Sequence, residues 1–374
     1  MTGAESQNNS LTVNEILVHA SRNGLKNQQE DGAFPPGRNY TYDEPETPVR
    51  TTSQWLLTLS KVYKITDKQK YENAANAAID YLLSDEVRPQ GYTFHARRTE
   101  KKDQCNGLVG QAGPIRALTR AGMMFGRRDA IETAKEVFDL HPFNEELGLW
   151  ERIEIDGTNL SFDRTLNHQL IFAAAARGLS SEFSTVDSNL RKFLNKLESN
   201  IEIHSDGLIK HYAHPPRIQS LREVLSTPQY YNLIVNEIAY TYYSFSSERR
   251  KKERGYQSVN LYALARLRQT YPDHEFWNSN VIEKAVKFAK SNRSELVDGK
   301  DVKHGSPLQG ISIAKVLAEF EGEPMNSYTH LIEQDIAENP SQSEMVFDID
   351  GIDSNTQTAL IASLVDLPNI QLSP

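Results

Sequence analysis

The chain has 374 residues, of which 38% are hydrophobic and 24% charged, and its formal net charge is −9 at pH 7. This composition excludes a largely disordered chain. The negative charge argues against a nucleic-acid partner, which needs clustered lysine and arginine, so the short basic run 249–254 is interpreted as a solvated loop. No apolar stretch approaches the length of a membrane-spanning helix, so no membrane span is expected.

One cysteine, Cys105, excludes an intramolecular disulfide and fits a reducing compartment. The stretch MTGAESQNNSLTV lacks the basic and apolar segments of a secretory signal. We therefore expect a cytoplasmic protein with a disordered tail over residues 1–10 and a single domain over residues 11–374. Cys105 is expected to pack as a small residue rather than to react.

Hydrophobic residues recur with helical spacing along most of the chain, as in QWLLTLSKVY. Strand-like segments such as GYTFHARR and LWERIEID are short and lie between the helices. These patterns predict an all-α protein. The predicted helices cover residues 11–24, 51–64, 68–84, 109–125, 128–139, 164–178, 184–200, 229–246, 256–270, 276–292, 308–321, 326–337 and 355–366.

The junctions between helices repeat. The glycine turns at Gly32, Gly91, Gly148 and Gly207 are separated by 59, 57 and 59 residues. Each interval holds a turn, an extended aromatic and basic segment, and two helices. Such repeats form either an open solenoid or a closed ring of hairpins. The long, polar junctions favour an (α/α)6 toroid of about six helical hairpins with short strand-like loops on one rim.

Amide side chains occur within the first turn or so of each predicted inner helix, at Gln54, Gln111, Asn167, Gln257 and Gln309, and again at Gln357. Amides near exposed helical N–H groups suit the hydroxyls and carboxylates of a sugar. Ordinary helix capping is the alternative interpretation.

The extended segments add aromatic rings and charges. Aromatic faces stack on sugar rings, and arginine forks bind carboxylates in a bidentate manner. Structural ion pairs are the alternative interpretation for any one of these residues. The predicted substrate-binding residues are Tyr42, Arg50, Gln54, Trp55, His95, Arg97, Asn106, Gln111, Trp150, Arg152, Asn167, His168, His211 and Tyr256.

Other chemistries find little support. The sequence contains neither a phosphate-binding glycine loop nor an HExxH zinc motif. His204, His211 and His214 lie close together in the sequence but are interpreted as ordinary polar residues of an extended loop. We expect no metal and no cofactor.

Four blocks of the sequence carry a resemblance: DGAFPPGRNYTYDEPETPVRTTSQWLL, KDQCNGLVGQAGPIRAL, FDRTLNHQLIFAAAA and RGYQSVNLYALARL. The overall layout resembles the six-hairpin (α/α)6-toroid superfamily, which includes unsaturated glucuronyl hydrolases, N-acylglucosamine 2-epimerases and polysaccharide lyases. The blocks are also similar to proteins encoded with surface-glycan assembly genes. The resemblance implies the toroid fold and a carbohydrate-active function, but this fold hosts hydrolases, lyases and epimerases alike.

The predicted function is a glycoside hydrolase-like enzyme acting on uronic-acid-containing glycans in surface-polysaccharide or glycan assembly, with an oligosaccharide or polysaccharide as its partner. Arg50, Arg97 and Arg152 motivate the acidic sugar. Two alternatives stay open. One is a lyase or epimerase on the same sugars, in which a tyrosine or histidine abstracts a proton. The other is a non-catalytic glycan-binding toroid. The oligomeric state is left open.

Two aspartates are the predicted catalytic pair. Asp103 precedes one inner helix and Asp163 precedes the next, so the two acids occupy equivalent places on neighbouring hairpins. Neighbouring inner helices pack about 8–10 Å apart, which would let both acids flank one glycosidic bond. Glu46 is the reserve candidate, and His168 could tune Asp163. The alternative is that both aspartates simply cap helices.

Overall fold

The computed structural model describes residues 10–39, 44–243, 246–297, 308–337 and 357–373. Within these ranges the chain forms fifteen α-helices and seven short strands, so the prediction of an all-α protein is confirmed. Helices and strands are numbered in chain order below. The predicted tail lies almost wholly outside the described residues.

Six helices form an inner ring. The first five of them, α2, α4, α6, α10 and α13, pack each on the next, and α15 packs on α2. A hydrogen bond from Lys315 to the carbonyl of Ser363 joins α13 to α15 and completes the ring. The inner helices are α2 (Pro48–Thr66), α4 (Gly107–Phe125), α6 (Leu166–Ala176), α10 (Ser247–Thr270), α13 (Gln309–Glu321) and α15 (Gln357–Leu364).

A second set of helices surrounds the ring. Three further helices belong to neither the inner nor the outer set: α8 (Arg217–Ser226), α9 (Asn232–Tyr243) and α12 (Arg293–Val297). Short 3₁₀ turns cover Leu25–Asn27, Leu179–Ser181, Pro228–Tyr231, Glu275–Asn278 and Met325–Tyr328. The outer helices are α1 (Val13–Gly24), α3 (Gln69–Leu83), α5 (Arg128–Leu140), α7 (Ser184–Asn200), α11 (Asn280–Ser291) and α14 (Thr329–Ala337).

The strands are confined to the loops. Strand β1 (Leu11–Thr12) pairs antiparallel with β7 (Gln371–Leu372), which holds the two ends of the described chain together. Strand β2 (Arg38–Asn39) pairs with β3 (Glu44–Pro45). The strands β4 (Phe143–Asn144), β5 (Leu149–Ile153) and β6 (Asn159–Phe162) form one antiparallel sheet in that order.

The repeated glycines mark equivalent positions in successive units, and all four have a positive φ. A β-carbon on Gly32 would lie 2.1 Å from the carbonyl oxygen of Ala77 in α3. A β-carbon on Gly207 would lie 2.2 Å from the carbonyl oxygen of Lys284 in α11. Only glycine combines this backbone conformation with so close an approach to an outer helix. The glycine spacing therefore reports a structural repeat.

Several amides at the helix starts hold the loops onto the ring. Gln111 accepts a hydrogen bond from the amide of Phe94 (2.7 Å) and donates one to the carbonyl of Phe94 (3.0 Å). Gln169 makes the same two bonds to Trp150, at 3.0 and 2.9 Å. Both amides are fully buried. Buried backbone N–H and C=O groups need hydrogen-bond partners, and these glutamines supply them for Phe94, which lies outside regular structure, and for Trp150, which lies in a short strand.

The structure corrects some sequence predictions. Helix α10 begins at Ser247, so the basic run 249–254 is helical rather than a solvated loop. Arg249 and Glu253 are buried and paired with each other at 3.0 Å. The segment GYTFHARR forms only an isolated bridge, through Arg97. Helices α8 and α12 lie outside the predicted helices, and α12, with five residues, is too short to show a helical period.

Candidate active site

The N-terminus of α4 receives two carboxylates. The amide of Gly107 donates to Oδ1 of Asp103 at 3.1 Å, and the next amide, that of Leu108, donates to Oδ2 of Asp163 at 3.3 Å. Because consecutive amides are so close, the two carboxylates lie no more than about 10 Å apart. The structure thus brings the two predicted catalytic acids to one helix terminus.

Gly107 makes this approach possible. A β-carbon at this position would lie 2.7 Å from Oδ2 of Asp163 and 3.3 Å from Nδ1 of His168. The residue also has φ of +55°, and so does its neighbour Asn106. A side chain at position 107 would therefore push Asp163 and His168 away from the helix terminus.

Asp163 is buried, yet it is held in its charged form. Burial alone would raise the pKa of this carboxyl, but His168, Arg152 and the Leu108 amide together lower the pKa to about 2. Oδ2 of Asp163 lies 2.9 Å from Nδ1 of His168. This contact orients the imidazole ring, so Nε2 of His168 is the nitrogen left to meet a substrate.

Asp103 lies between two arginines. Arg97 donates to Oδ1 of Asp103 at 2.7 Å, and Nη1 of Arg152 lies 3.6 Å from Oδ2. Asp103 and Arg152 also line an open cleft of about 430 Å³, together with Glu154 and Leu160. Arg152 keeps 31% of its side chain exposed, and its buried Nε has no hydrogen-bond partner among the described residues.

Glu46 lies at the neighbouring loop rather than on the α4 terminus. Its carboxylate is buried and lies 2.5 Å from Nε of Arg50, and its backbone forms an isolated bridge with Arg97. Arg50 also donates to the carbonyl of Arg38 at 3.1 Å. The side chains of Glu46 and Arg50 are thus engaged with each other. Tyr42 lies outside the described residues.

A histidine and two tyrosines, His211, Tyr212 and Tyr256, lie on the side of the site next to Asp163. His211 is buried and stacks on Tyr256 of α10 with ring centroids 5.2 Å apart. Burial lowers the pKa of His211 to about 2, with Lys252, His168 and Arg249 adding to the effect. His211 is therefore neutral. The adjoining Tyr212 pairs with Thr165 next to Asp163, which places this segment beside the acids.

Other predicted substrate-binding residues lie in the interior. Trp55 is buried and stacks on Phe34 at 5.3 Å. Trp150 is fully buried among the rings of Phe138, Phe143, Phe172 and Phe193. These positions, and the buried amide of Gln111 described above, offer no surface to a sugar.

The remaining predicted residues lie around the same rim. Asn167 is buried at the start of α6, and its Oδ1 has no hydrogen-bond partner among the described residues. Gln54 is half-buried in α2, with its Oε1 likewise unpaired within the described ranges. Asn106 directly precedes α4. Nε2 of His95 lies 3.1 Å from the carbonyl of Arg97, and burial lowers the pKa of this histidine.

Sequence reasoning missed a charged cluster next to the acids. Arg164 donates to Glu237 at 2.7 Å, and His214 lies 3.1 Å from the other oxygen of that carboxylate. Hydrogen bonds from His214 and Arg164 lower the pKa of Glu237 to about 2, although partial burial of this carboxyl acts in the opposite direction. Glu237 is therefore ionised. Tyr240 stacks on Tyr212 with centroids 3.7 Å apart. Glu237 and Tyr240 belong to α9, and nothing local in their sequence indicates a partner so far along the chain.

The site combines an ionised carboxylate, a second carboxylate flanked by arginines, and an oriented imidazole. Such a set can move protons and hold an anionic sugar at the same place. Among the residues that the structure describes, no group of three or more histidine, cysteine, aspartate or glutamate side chains is arranged to hold a metal ion. Within the same ranges, no helix is long and apolar enough to cross a membrane.

Comparison with solved structures confirms the predicted (α/α)6 toroid. The cellobiose 2-epimerase from Bacillus thermoamylovorans B4167 superposes with a TM-score of 0.60 at 12% identity, covering 95% of this chain and 98% of the other. An unsaturated glucuronyl hydrolase specific for heparin superposes with a TM-score of 0.57 at 11% identity, covering 94% and 95%. At such low identity the likeness establishes the fold alone.

Sequence comparison gives a closer relationship. No family model matches the chain. A protein of Haloferax volcanii, archaeal glycosylation protein Q, is 39% identical over 296 residues, which span 77% of this chain and 80% of the relative. That identity over most of both chains means that this protein belongs to the archaeal glycosylation protein Q family.

Proposed function

We propose that this protein is a carbohydrate-active enzyme of the glycoside hydrolase type, acting on uronic-acid-containing glycans. The observation that carries the proposal is the meeting of Asp103 and Asp163 at the N-terminus of α4. Paired carboxylates supply the acid and the base or nucleophile of glycosidic bond cleavage. The fold is compatible with this reaction class, because a glucuronyl hydrolase shares it, but a cellobiose 2-epimerase shares it as well.

The two acids take different roles in this proposal. Asp163, whose pKa is lowered to about 2, is ionised and suits the base or nucleophile. Asp103 lines the cleft and is the proton donor. A substrate carboxylate bound at Arg152 would place negative charge beside Asp103 and partly neutralise the arginine.

Arg152 is the proposed carboxylate-binding residue. Its guanidinium donates to the carbonyl of Leu160 at 2.8 Å and lies 3.6 Å from Asp103, so its ion pair is looser than those of the other two arginines. Arg97 is bonded to Asp103 at 2.7 Å, and Arg50 lies 2.5 Å from Glu46. We expect Arg152→Gln to raise KM for an acidic oligosaccharide much more than for its neutral, carboxyl-reduced counterpart.

One contact favours a second candidate function. The Asp163–His168 pair, 2.9 Å apart, is the arrangement by which a carboxylate orients a general base. With His168 abstracting a proton next to a carbonyl or carboxylate, the same site would act as an epimerase or a lyase. A non-catalytic glycan-binding toroid is the remaining alternative.

Incubating the purified protein with a panel of uronic-acid oligosaccharides separates these functions. Products heavier by one water in total identify a hydrolase. A new double bond absorbing in the ultraviolet identifies a lyase, and a mass-neutral change of configuration identifies an epimerase. Binding without turnover of any member of the panel would contradict the enzyme proposal.

The setting proposed for this activity is glycan assembly in the cytoplasm. The name of the Haloferax volcanii relative supports the link to glycosylation. The single, buried cysteine supports a reducing compartment. Cell fractionation with an antibody against the native chain tests the location.

A further inference from the structure

A second cavity lies at the opposite mouth of the ring from the paired acids. It has a volume of about 790 Å³ and is lined by the C-terminal parts of α2, α4, α6 and α10. Arg116 and Arg120 of α4 are nine and thirteen residues beyond Gly107, which places them about 14–20 Å along the helix from the acids. The cavity is therefore separate from the candidate active site.

Positive charge dominates the lining. The charged lining residues are four arginines, one lysine and one carboxylate, although the whole chain carries a net charge of −9. Unequal charge of this kind in a concave site raises the local concentration of anions. The charged residues are Lys64, Arg116, Arg120, Arg177, Arg266 and Asp366.

The one carboxylate among the described lining residues, that of Asp366, already accepts three hydrogen bonds. Asp366 accepts hydrogen bonds from Arg116 at 2.5 Å, from Arg120 at 2.7 Å and from the hydroxyl of Tyr262 at 3.0 Å. Its single negative charge is already shared by Arg116 and Arg120, and in the described part of the chain neither Arg177 nor Arg266 donates a hydrogen bond to it. Among the described residues, Arg177 and Arg266 therefore have no carboxylate partner of their own.

Arg266 shows the imbalance most clearly. Its side chain is 8% exposed, and its buried Nε has no hydrogen-bond partner among the described residues. Burial lowers the pKa of Arg266 to about 9, and Arg116 and Arg177 contribute to the shift. An unpaired buried guanidinium beside two others is unfavourable unless an anion joins them.

Capping of helix ends does not account for this arrangement. Basic residues near a helix C-terminus often bond its last carbonyls. Arg177, which follows α6, instead bonds α10, donating to the carbonyl of Arg266 at 3.3 Å and to Oε1 of Gln269 at 3.1 Å. Arg266 is the exception, since its Nε has no carbonyl acceptor in the described part of the chain.

We propose that this cavity binds a phosphorylated small molecule, whose phosphoryl group is held by Arg177 and Arg266 with Arg116 beside them. Arginine forks match the oxygens of phosphate. The surplus of positive charge in the lining suits a dianionic phosphate or a diphosphate better than a single carboxylate. The cavity volume is that of an ordinary small-molecule site.

Calorimetry on the full-length protein tests the proposal, with inorganic phosphate, inorganic pyrophosphate and a hexose 1-phosphate as probes. We expect pyrophosphate to bind more tightly than phosphate. The variants Arg266→Met and Arg177→Met should each weaken that binding about tenfold or more. Tighter binding of the hexose 1-phosphate than of inorganic phosphate would assign a sugar phosphate as ligand.

Arg268→Met is the matched control. Arg268 lies on the same helix, α10, but donates to the carbonyl of Glu319 at 2.5 Å and does not line the cavity. This variant should bind the probes like the wild type. Without ligand, Arg266→Met should also melt no lower than the wild type, because it removes a buried, unpaired cation.

Three outcomes would overturn the proposal. The first is that none of the probes binds. The second is that sodium chloride at equal ionic strength gives the same calorimetric signal as the probes. The third is that the wild type and both cavity variants bind the probes equally. Arg177→Met keeps the test valid if Arg266→Met does not fold, because Arg177 is only partly buried. The result is independent of turnover at the paired acids.

Discussion

Asp103 and Asp163 accept hydrogen bonds from consecutive amides, those of Gly107 and Leu108, although the two acids belong to different hairpins of the ring. This relationship means that both acids cap one helix, α4. The two acids can therefore cap the helix and also act in catalysis, because the hydrogen bonds that they accept from the helix amides bring both carboxylates to the same terminus.

The first prediction distinguishes two effects of a side chain at position 107: the strain of a positive φ, and the clash of the β-carbon with Asp163 and His168. Gly107→Ala should cost about 1–2 kcal/mol of stability from the positive φ and should also abolish turnover, because its β-carbon displaces Asp163 and His168. Gly126, at the other end of α4, has a φ of +69°, and no atom of the described residues lies within 4 Å of the carbon that Gly126→Ala would add.

Gly126→Ala should therefore lose similar stability and keep its activity. Chemical unfolding and turnover measured on both variants check the prediction. Equal activity in the two variants would show that the space beside Gly107 does not matter to the site.

The second prediction concerns Gln111, whose amide holds the loop at Phe94 and also donates to the carbonyl of Cys105 at 2.7 Å. Gln111→Met keeps the volume but leaves buried backbone groups unpaired, at about 1–3 kcal/mol for each. Gln54→Met is the control, because Oε1 of Gln54 has no partner among the described residues.

Urea unfolding should show a large loss of stability for Gln111→Met and a small change for Gln54→Met. The opposite pattern, with Gln111→Met stable but unable to bind substrate, would return Gln111 to the substrate-binding residues.

A third prediction follows from His211. Burial lowers its pKa to about 2, so between about pH 2 and 6.5 the unfolded chain binds a proton that the folded chain does not. Stability is therefore full above pH 6.5 and falls as the pH drops below it, by up to about 1.4 kcal/mol per pH unit.

His211→Phe keeps a ring against Tyr256 and should reduce the loss of stability between pH 7 and pH 5. The exposed His330, changed to Phe, should leave that loss unchanged. Urea midpoints at the two pH values decide the matter. An unchanged pH dependence in His211→Phe would show that another group controls acid stability.

The fourth prediction is that Cys105 is structural. Its side chain is fully buried, and burial raises the pKa of the thiol, so the reactive thiolate does not form near neutral pH. Cys105→Ser should keep most of the turnover at a modest cost in stability. Loss of turnover in a variant that remains folded by circular dichroism would give Cys105 a chemical role.

Local patterns predicted the ring but not which way its polar side chains point. Gln111, the fifth residue of α4, bonds the loop, whereas Oδ1 of Asn167, the second residue of α6, has no partner among the described residues. The difference depends on packing between loop and helix, which periodicity does not encode.

Ion pairs between residues that are distant in the sequence could not be predicted, for a related reason. Arg164 and Glu237 meet through the packing of α9 against the rim, and 73 residues separate them. The start of α10 was placed too late because the charged residues 247–254 hide the apolar period and Gly255 resembles a helix break. In the structure, Arg249 and Glu253 neutralise each other inside that helix.

The central claim, that Asp103 and Asp163 are catalytic as well as capping, is tested most directly by kcat/KM and melting temperature for Asp103→Asn and Asp163→Asn. An asparagine side chain still accepts the bond from the α4 terminus but cannot exchange the proton. Asp129→Asn is the control, since Asp129 lies in the first turn of α5 and pairs with Arg127, away from the site. Our account predicts activity lower by about two orders of magnitude or more in both site variants, with melting temperatures near those of wild type and control. Near-normal turnover in both would contradict it and leave Asp103 and Asp163 as helix caps.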